Sequence, residues 1–344
     1  MSKVLVTGGS GFIASWCVRA LLEAGYDVRT TVRDLSREAG LRPQLPMATT
    51  ERLSVVRADL QSDDGWAEAV DGCEYVLHVA SPTLRNGVDS EDAMVSAARD
   101  GVLRVLRAAR DAGVRRVVLT SAFGAVGYGH PRRTTPFTEE DWTNIDADIP
   151  PYQRSKTLAE RAAWQFVRDE GNGLELAAVH PTGVLGPVLG PDDPPSLRTI
   201  RTMLTGEMSA CPPFASSWVD VRDVADLHLR AMTDPAAAGE RWIASAGPSL
   251  RIIEVARILR ERLGDRAAKA PTRELPLFLA RLMSRFIPLM RVLRPQLGQD
   301  FNATSAKAER LLGWRARPIE DTIADTAESL LAHGIGQPSS TTVA

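Results

Sequence analysis

The chain has 344 residues, 44% of them apolar and 24% charged, with a net charge of −2. That length carries a large core in one or two closely joined domains, and the composition is that of a globular protein. Without a basic surplus the chain is not expected to bind nucleic acid, and no uncharged apolar run approaches the roughly 20 residues that span a bilayer.

In chain order, residues 3–7 form a short β-branched run that predicts a strand, and 11–25 predict a helix with Ile13, Val18, Leu21 and Leu22 on one face. Strands follow at 27–33 and 53–58. Two continuous apolar runs come next, 74–79 (EYVLHV) and 116–120 (RVVLT), with helical periodicity over 89–112 between them. A helix starts near Pro151, and 174–180 is another strand. Continuous apolar strands separated by helices imply an α/β fold whose parallel sheet is covered on both faces. Right-handed crossovers make that sheet doubly wound, the Rossmann arrangement.

After His180 the character changes. Residues 181–216 are rich in proline and read as a long functional loop with a short helix near 197–204. Residues 216–247 return to strand–helix–strand, and 250–334 are mostly helical. The expected division is a discontinuous dinucleotide-binding domain, 1–180 with 216–247, and a smaller, mostly helical substrate lobe from 181–215 and 248–335. The Ser/Thr-rich tail 336–344 is expected to be flexible. Cys17, Cys73 and Cys211 are far apart and odd in number, and His is scarce, so neither a disulfide framework nor a metal is expected. The opening run KVLVT is no signal peptide, and a cytoplasmic protein is expected.

Residues 7–14, TGGSGFIA, lie between the first strand and the first helix, the context a dinucleotide fingerprint requires. Gly8 and Gly9 allow a tight turn. Gly11 has no side chain to block a pyrophosphate seated on the helix N-terminus, and Ala14 is the small position where helix meets strand. Thr7, Ser10, Phe12 and Ile13 complete the expected cradle. The competing reading is a glycine-rich turn without a ligand.

Coenzymes that lack a 2′-phosphate are commonly held by an acid at the end of the second strand. Here that strand ends VRTTVRD, with Arg33 at the expected position and Asp34 just after. A guanidinium suits a 2′-phosphate in charge and geometry, with Arg37 to assist, so NADP(H) is expected over NAD. Asp59 and Leu60 fall beside the adenine, Val79, Ala80 and Ser81 along the ribose, and Thr120 at the end of the fifth strand.

Tyr152 and Lys156 stand four residues apart at a helix start, on one face. Pro151 is placed to open that helix. A free phenol has a pKa of about 10, too high for efficient proton exchange near neutrality. A neighbouring ammonium and a helix N-terminus are both expected to lower it. Tyr152 then exchanges a proton with a carbonyl oxygen while Lys156 holds the nicotinamide ribose. Y-x-x-x-K alone is weak, and a surface Tyr and Lys is the bland alternative. Order lends it weight: fingerprint, five strands, then the pair.

These stretches resemble the dihydroflavonol reductase and cinnamoyl-CoA reductase branch of the extended short-chain dehydrogenases, within the epimerase/dehydratase superfamily. The matching runs are TGGSGFIASW at 7–16, VRTTVRD at 28–34, VLHVASP at 76–82, RRVVLTSAFGAV at 115–126, YQRSKTLAERAAW at 152–164, HPTGVLGP at 180–187, WVDVRDVADLH at 218–228 and KAERLLGW at 307–314. They span nearly the whole chain. The resemblance implies NADP(H), reduction of a carbonyl to an alcohol, and a substrate held between the core and the C-terminal lobe. One departure matters. Family members carry two serines after the Thr that ends the fifth strand, and the second, which bonds the substrate oxygen, falls here on Ala122. Three readings stand open. Ser121 reaches the oxyanion after a small shift, Thr120 or Tyr128 substitutes, or the bond is missing and the site is slower. Ser121 is the candidate, against a Ser121 merely packed beneath the cofactor.

Phe123, Tyr128, His130, Thr182, Val184, Leu185, Met203, Met208, Phe214 and Trp218 are the expected pocket walls. Pro181 and Pro187 fix the loop over the nicotinamide, with Thr182, Gly183 and Val184 beside the cofactor and His180 a donor near its amide. Such walls favour a small apolar or aromatic carbonyl compound over a sugar nucleotide. Residues 275–293, basic, amphipathic and interrupted by Pro288, fit a helix over the lobe or an oligomer contact better than a membrane surface. A monomer or homodimer is expected. The rivals are a sugar-nucleotide epimerase or dehydratase retaining NAD, a hydroxysteroid-type dehydrogenase, and a non-catalytic NADP sensor, which Ala122 favours and the Tyr152/Lys156 pair opposes.

Overall fold

Seven strands form one sheet in the computed structural model, which describes residues 2–82, 90–190 and 194–334. They are β1 (Lys3–Val6), β2 (Asp27–Val32), β3 (Leu53–Arg57), β4 (Tyr75–His78), β5 (Arg116–Thr120), β6 (Glu175–Pro181) and β10 (Arg241–Ala244). Three strands outside this sheet, β7 (Gly183–Leu185), β8 (Ala215–Ser216) and β9 (Trp218–Asp220), come between the last two. The order is β10-β6-β5-β4-β1-β2-β3, and every neighbouring pair is parallel.

Side chains alternate across a strand, and both faces of this sheet are covered. Val4 and Val6 pack with Val18 and Leu21 of helix Phe12–Glu23 and with Val224 and Leu227 of helix Val221–Thr233. Leu5 faces the other way, onto Val105 and Leu106 of helix Glu91–Asp111 and Ala163 and Phe166 of helix Pro151–Glu170. This double burial is why the strands read as unbroken apolar runs. The strand order reverses between β1 and β4, and ligands of such sheets bind outside the carboxyl ends at that reversal.

The remaining strands belong to smaller sheets. β7 pairs with β9, so Trp218–Asp220 does not join the large sheet. β8 pairs with β11 (Leu250–Arg251) and β12 (Asp300–Phe301). Helices Arg198–Thr205, Ile252–Leu263 and Ile319–Ala332 close a separate apolar core around Ile200, Val255, Leu259 and Ile323. The stretch 275–293 breaks into helices Leu277–Met283 and Pro288–Leu293, which share a small core of Ala280, Met290 and Leu297. The expected tail 336–344 and residue 89, where a helix was expected to begin, lie outside the described residues. The three cysteines are free and buried. Among the described residues no helix is long and apolar enough to cross a membrane, and no three His, Cys, Asp or Glu stand together as metal ligands.

Candidate active site

A cleft of about 820 Å³ lies along the loops that follow β1, β2, β3 and β4. Gly8, Ser10, Gly11, Phe12 and Ile13 form one wall. Gly8 has φ +71° and donates its N–H to Thr31 Oγ1 at 2.9 Å. A Cβ there would stand 3.0 Å from Ala80 Cβ, so only glycine fits. Gly11 begins helix Phe12–Glu23, and no side chain caps that end. Its first N–H groups are thus left for an anion in the cleft. Thr7 and Gly9 do not reach the cleft wall. Thr7 Oγ1 bonds His78 Nδ1 at 2.9 Å and accepts from the Ala80 N–H at 2.9 Å, tying the end of β1 to β4.

Gly9 is a packing position. A Cβ there would lie 2.1 Å from Thr30 Oγ1, and that hydroxyl already donates to the Val6 carbonyl at 2.7 Å. Gly9→Ala is expected to lower stability by about 1–3 kcal/mol through overpacking, read by denaturant unfolding. A stability equal to wild type would show that the loop has room to move.

Arg33 and Arg37 both line the cleft beyond β2. Asp34 is turned to its own chain. Its carboxylate accepts from the Ser36 N–H at 2.9 Å and caps the short helix Leu35–Arg37, and these bonds hold its pKa below the ordinary value. Asp34 is not among the residues that line the cleft, whereas both arginines are. Asp59, Leu60, Val79, Ala80 and Ser81 line the next part of the wall, together with Trp66 and Gln61.

Pro151 opens the helix that carries Tyr152 and Lys156. Tyr152 is 47% exposed and lines the cleft. Desolvation pushes its phenol above the ordinary value, which corrects the expected lowering by Lys156. A ring standing along an open cleft is accessible to a substrate. Lys156 points inward, with Nζ 3.4 Å from the Thr120 carbonyl. Burial, opposed by the nearby Glu160 carboxylate, brings its ammonium down to about 8.

Ser121 and Thr120 have other commitments. Ser121 Oγ donates its one proton to Glu160 Oε2 at 2.5 Å. The same carboxylate bonds His180 Nε2 at 2.7 Å and accepts from Arg241 Nε at 2.8 Å. His180 is fully buried in this network rather than turned toward a cofactor amide. Thr120 Oγ1 stands 2.7 Å from His228 Nε2. His228 Nδ1 lies 2.8 Å from the Val224 carbonyl, which needs a donor, so Nε2 is the acceptor for Thr120. Burial pushes His228 down to about 4 and keeps it neutral.

Pro181, Thr182, Gly183 and Val184 close the cleft opposite Tyr152, with Phe123 and Tyr128 also on its wall. Pro187 instead accepts a bond from Trp16 Nε1 at 2.9 Å. His130 lines an adjoining cavity of about 410 Å³, which shares Tyr128 with the cleft. Five other expected pocket walls prove to be core or its packing. Leu185 and Met203 are fully buried in the lobe's apolar core, and Met208 and Phe214 pack against it. Trp218 is 8% exposed and packs in that core as well. The sequence reading missed Gln153, Gly124 and Ser216, which line the cleft. Gln153 adjoins Tyr152, but neighbours on a helix point apart, so spacing gave no signal.

The sequence profile described as the NAD dependent epimerase/dehydratase family matches residues 4–245. A cinnamoyl-CoA reductase of Medicago truncatula is 34% identical over 335 residues, 95% of each chain. A dihydroflavonol 4-reductase of Zea mays is 36% identical over 271 residues, 75% of this chain and 74% of that one. The crystal structure of yeast methylglyoxal/isovaleraldehyde reductase complexed with NADPH superposes with a TM-score of 0.79 at 26% identity, covering 97% of this chain and all of that one.

Proposed function

We propose, because the chain belongs to the NAD dependent epimerase/dehydratase family, that it is an NADPH-dependent reductase acting on an aldehyde or ketone of a small apolar or aromatic molecule. The observation that carries this reading is one cleft with an uncapped helix N-terminus and two arginines on its walls and Tyr152 on the same lining. The relatives support it, being named as reductases, one of them in complex with NADPH.

In this reading residues 1–180 and 216–247 hold the coenzyme, while 181–215 and 248–335 form the substrate lobe. The helix start at Gly11–Ile13 binds the pyrophosphate, and Arg33 and Arg37 take the 2′-phosphate. Asp59, Leu60 and Val79–Ser81 flank the adenosine half, Pro181–Val184 the nicotinamide half. Bound NADPH supplies the hydride that goes to the carbonyl carbon. Tyr152 gives its proton to the carbonyl oxygen, so a C–H and an O–H bond form and the tyrosinate is reprotonated from solvent. A phenol held above its ordinary value is fully protonated at neutral pH, the form a donor needs. Charged Lys156 stabilises the tyrosinate left behind and bonds the nicotinamide ribose.

NADPH oxidation with benzaldehyde, cinnamaldehyde and aliphatic aldehydes and ketones tests the reading, with NADH alongside. Turnover selective for NADPH is expected. Turnover of no carbonyl compound, or a preference for NADH, would overturn it. Replacing both Arg33 and Arg37 by Ala is expected to raise KM for NADPH about 10- to 100-fold, the loss of a charge-assisted bond, and to leave KM for NADH nearly unchanged. Equal changes for both coenzymes would remove the arginines from the 2′-phosphate.

A further inference from the structure

We propose that Tyr128 donates the second hydrogen bond to the substrate oxygen, in the role that Ala122 has no hydroxyl to fill. The proposal rests on Tyr152 being the proton donor. A carbonyl oxygen gains charge as hydride arrives, and a second fixed donor beside the first stabilises it. The hydroxyls near Tyr152 are mostly spent. Ser121 donates to Glu160 at 2.5 Å and Thr120 to His228 at 2.7 Å. Thr182 donates to the Ala244 carbonyl at 3.0 Å, and Ser216 to the Ser217 carbonyl at 3.3 Å.

Tyr128 differs from all four. It lines the same cleft as Ala122, Tyr152 and Gln153. Its phenol lies within electrostatic reach of both Tyr152 and the Gln153 side chain. A phenol hydroxyl is donor as well as acceptor, so it has a proton to give to an oxygen in the cleft. Gln153 is 9% exposed, and its buried side-chain oxygen has no hydrogen-bond partner, a polar atom left open beside the cleft. The Tyr128 ring is also held in place. It stacks on Phe301 with centroids 4.5 Å apart at 23°. Its N–H donates to Thr143 Oγ1 at 3.0 Å, and Thr143 in turn donates to the Gly124 carbonyl at 2.8 Å. The turn that carries Tyr128 is thus laced to the segment just after Ala122. Burial pushes this phenol up to about 12, so it stays protonated across the working range and acts by donating a bond, not by giving up a proton.

The test uses Tyr128→Phe, Ala122→Ser, the double variant and Tyr152→Phe, with NADPH and cinnamaldehyde, and NADPH binding followed by fluorescence. Tyr128→Phe is expected to lower kcat about 10²- to 10³-fold with NADPH affinity unchanged. Adding Ala122→Ser to Tyr128→Phe supplies a hydroxyl elsewhere on the lining of the same cleft and is expected to recover at least about tenfold of that loss. A Tyr128→Phe enzyme with wild-type kcat beside an inactive Tyr152→Phe would overturn this proposal alone. A loss that serine does not rescue would also overturn it, since repacking then explains the defect. An active Tyr152→Phe would instead overturn the reading on which the proposal rests.

Discussion

Tyr152→Phe is expected to cut carbonyl reduction about 10²- to 10⁴-fold while NADPH still binds, because only the proposed proton donor is lost. The ring stays, so the packing around it is kept. Among the described residues near it, Tyr128 keeps its proton, with a pKa pushed up to about 12. Ser121, Thr120 and Thr182 have each donated theirs to a buried acceptor. The pH dependence follows from Lys156. Its ammonium is charged below about 8 and neutral above. The charge favours the tyrosinate that remains after proton transfer, so reductive kcat/KM is expected to be flat below that value and to fall as pH rises through it. The free enzyme is the relevant state for kcat/KM. Lys156→Met, which keeps the length and loses the charge, is expected to flatten the profile at a low rate. A Tyr152→Phe enzyme within about tenfold of wild type would remove Tyr152 from the chemistry, since a general acid contributes more than that.

The large sheet was legible because its strands are buried on both faces. Val117–Leu119 within RVVLT are buried on both faces, and β5 is Arg116–Thr120 to the residue. The glycine loop was legible for a different reason. Backbone approach and a positive φ at Gly8 demand glycine, whatever surrounds it. Residues whose role depends on a distant partner were not legible. Leu185 and Met203 carry the same chemistry as a pocket wall, and only the packing of helices Arg198–Thr205, Ile252–Leu263 and Ile319–Ala332 places them in a core. Arg116 reads as a solvated strand end, yet it is 1% exposed and donates to the carbonyls of Ala231, Met232 and Asp234. Ser121 is the sharpest case. Its place in the chain suggested the substrate, but its proton goes to Glu160, whose position in TLAERAAW reads as an ordinary charged helix face. His180 and Arg241 arrive at that carboxylate from β6 and β10, 20 and 81 residues further along the chain.

That buried carboxylate supports the second large expected effect. Glu160 is fully buried and accepts from Ser121, His180, Arg241 and, at 3.2 Å, Trp164 Nε1. Removing it leaves the Arg241 guanidinium, stacked 3.8 Å over Trp142 and 10% exposed, without its counter-charge. Breaking a buried pair from one side costs about 3–5 kcal/mol, so Glu160→Ala is expected to lose that much stability in denaturant unfolding at pH 7. Glu160→Gln keeps the shape and isolates the charge. Burial alone would raise the carboxyl, but His180, Arg241 and Ser121 outweigh it and bring it down to about 2 from an ordinary 4.5. A depressed carboxyl contributes stability that is present above 4.5 and drains away as pH falls toward 2. The gap between wild type and Glu160→Gln should therefore be widest at neutral pH and close on acidification. The same charge sits one helical turn after Lys156 and raises its pKa. Glu160→Gln should then move the alkaline fall of reductase activity to lower pH, a change that a purely structural defect does not produce. A variant as stable as wild type at pH 7, with an unshifted activity profile, would show that the network is neutralised by proton rearrangement and holds no net charge beneath the site.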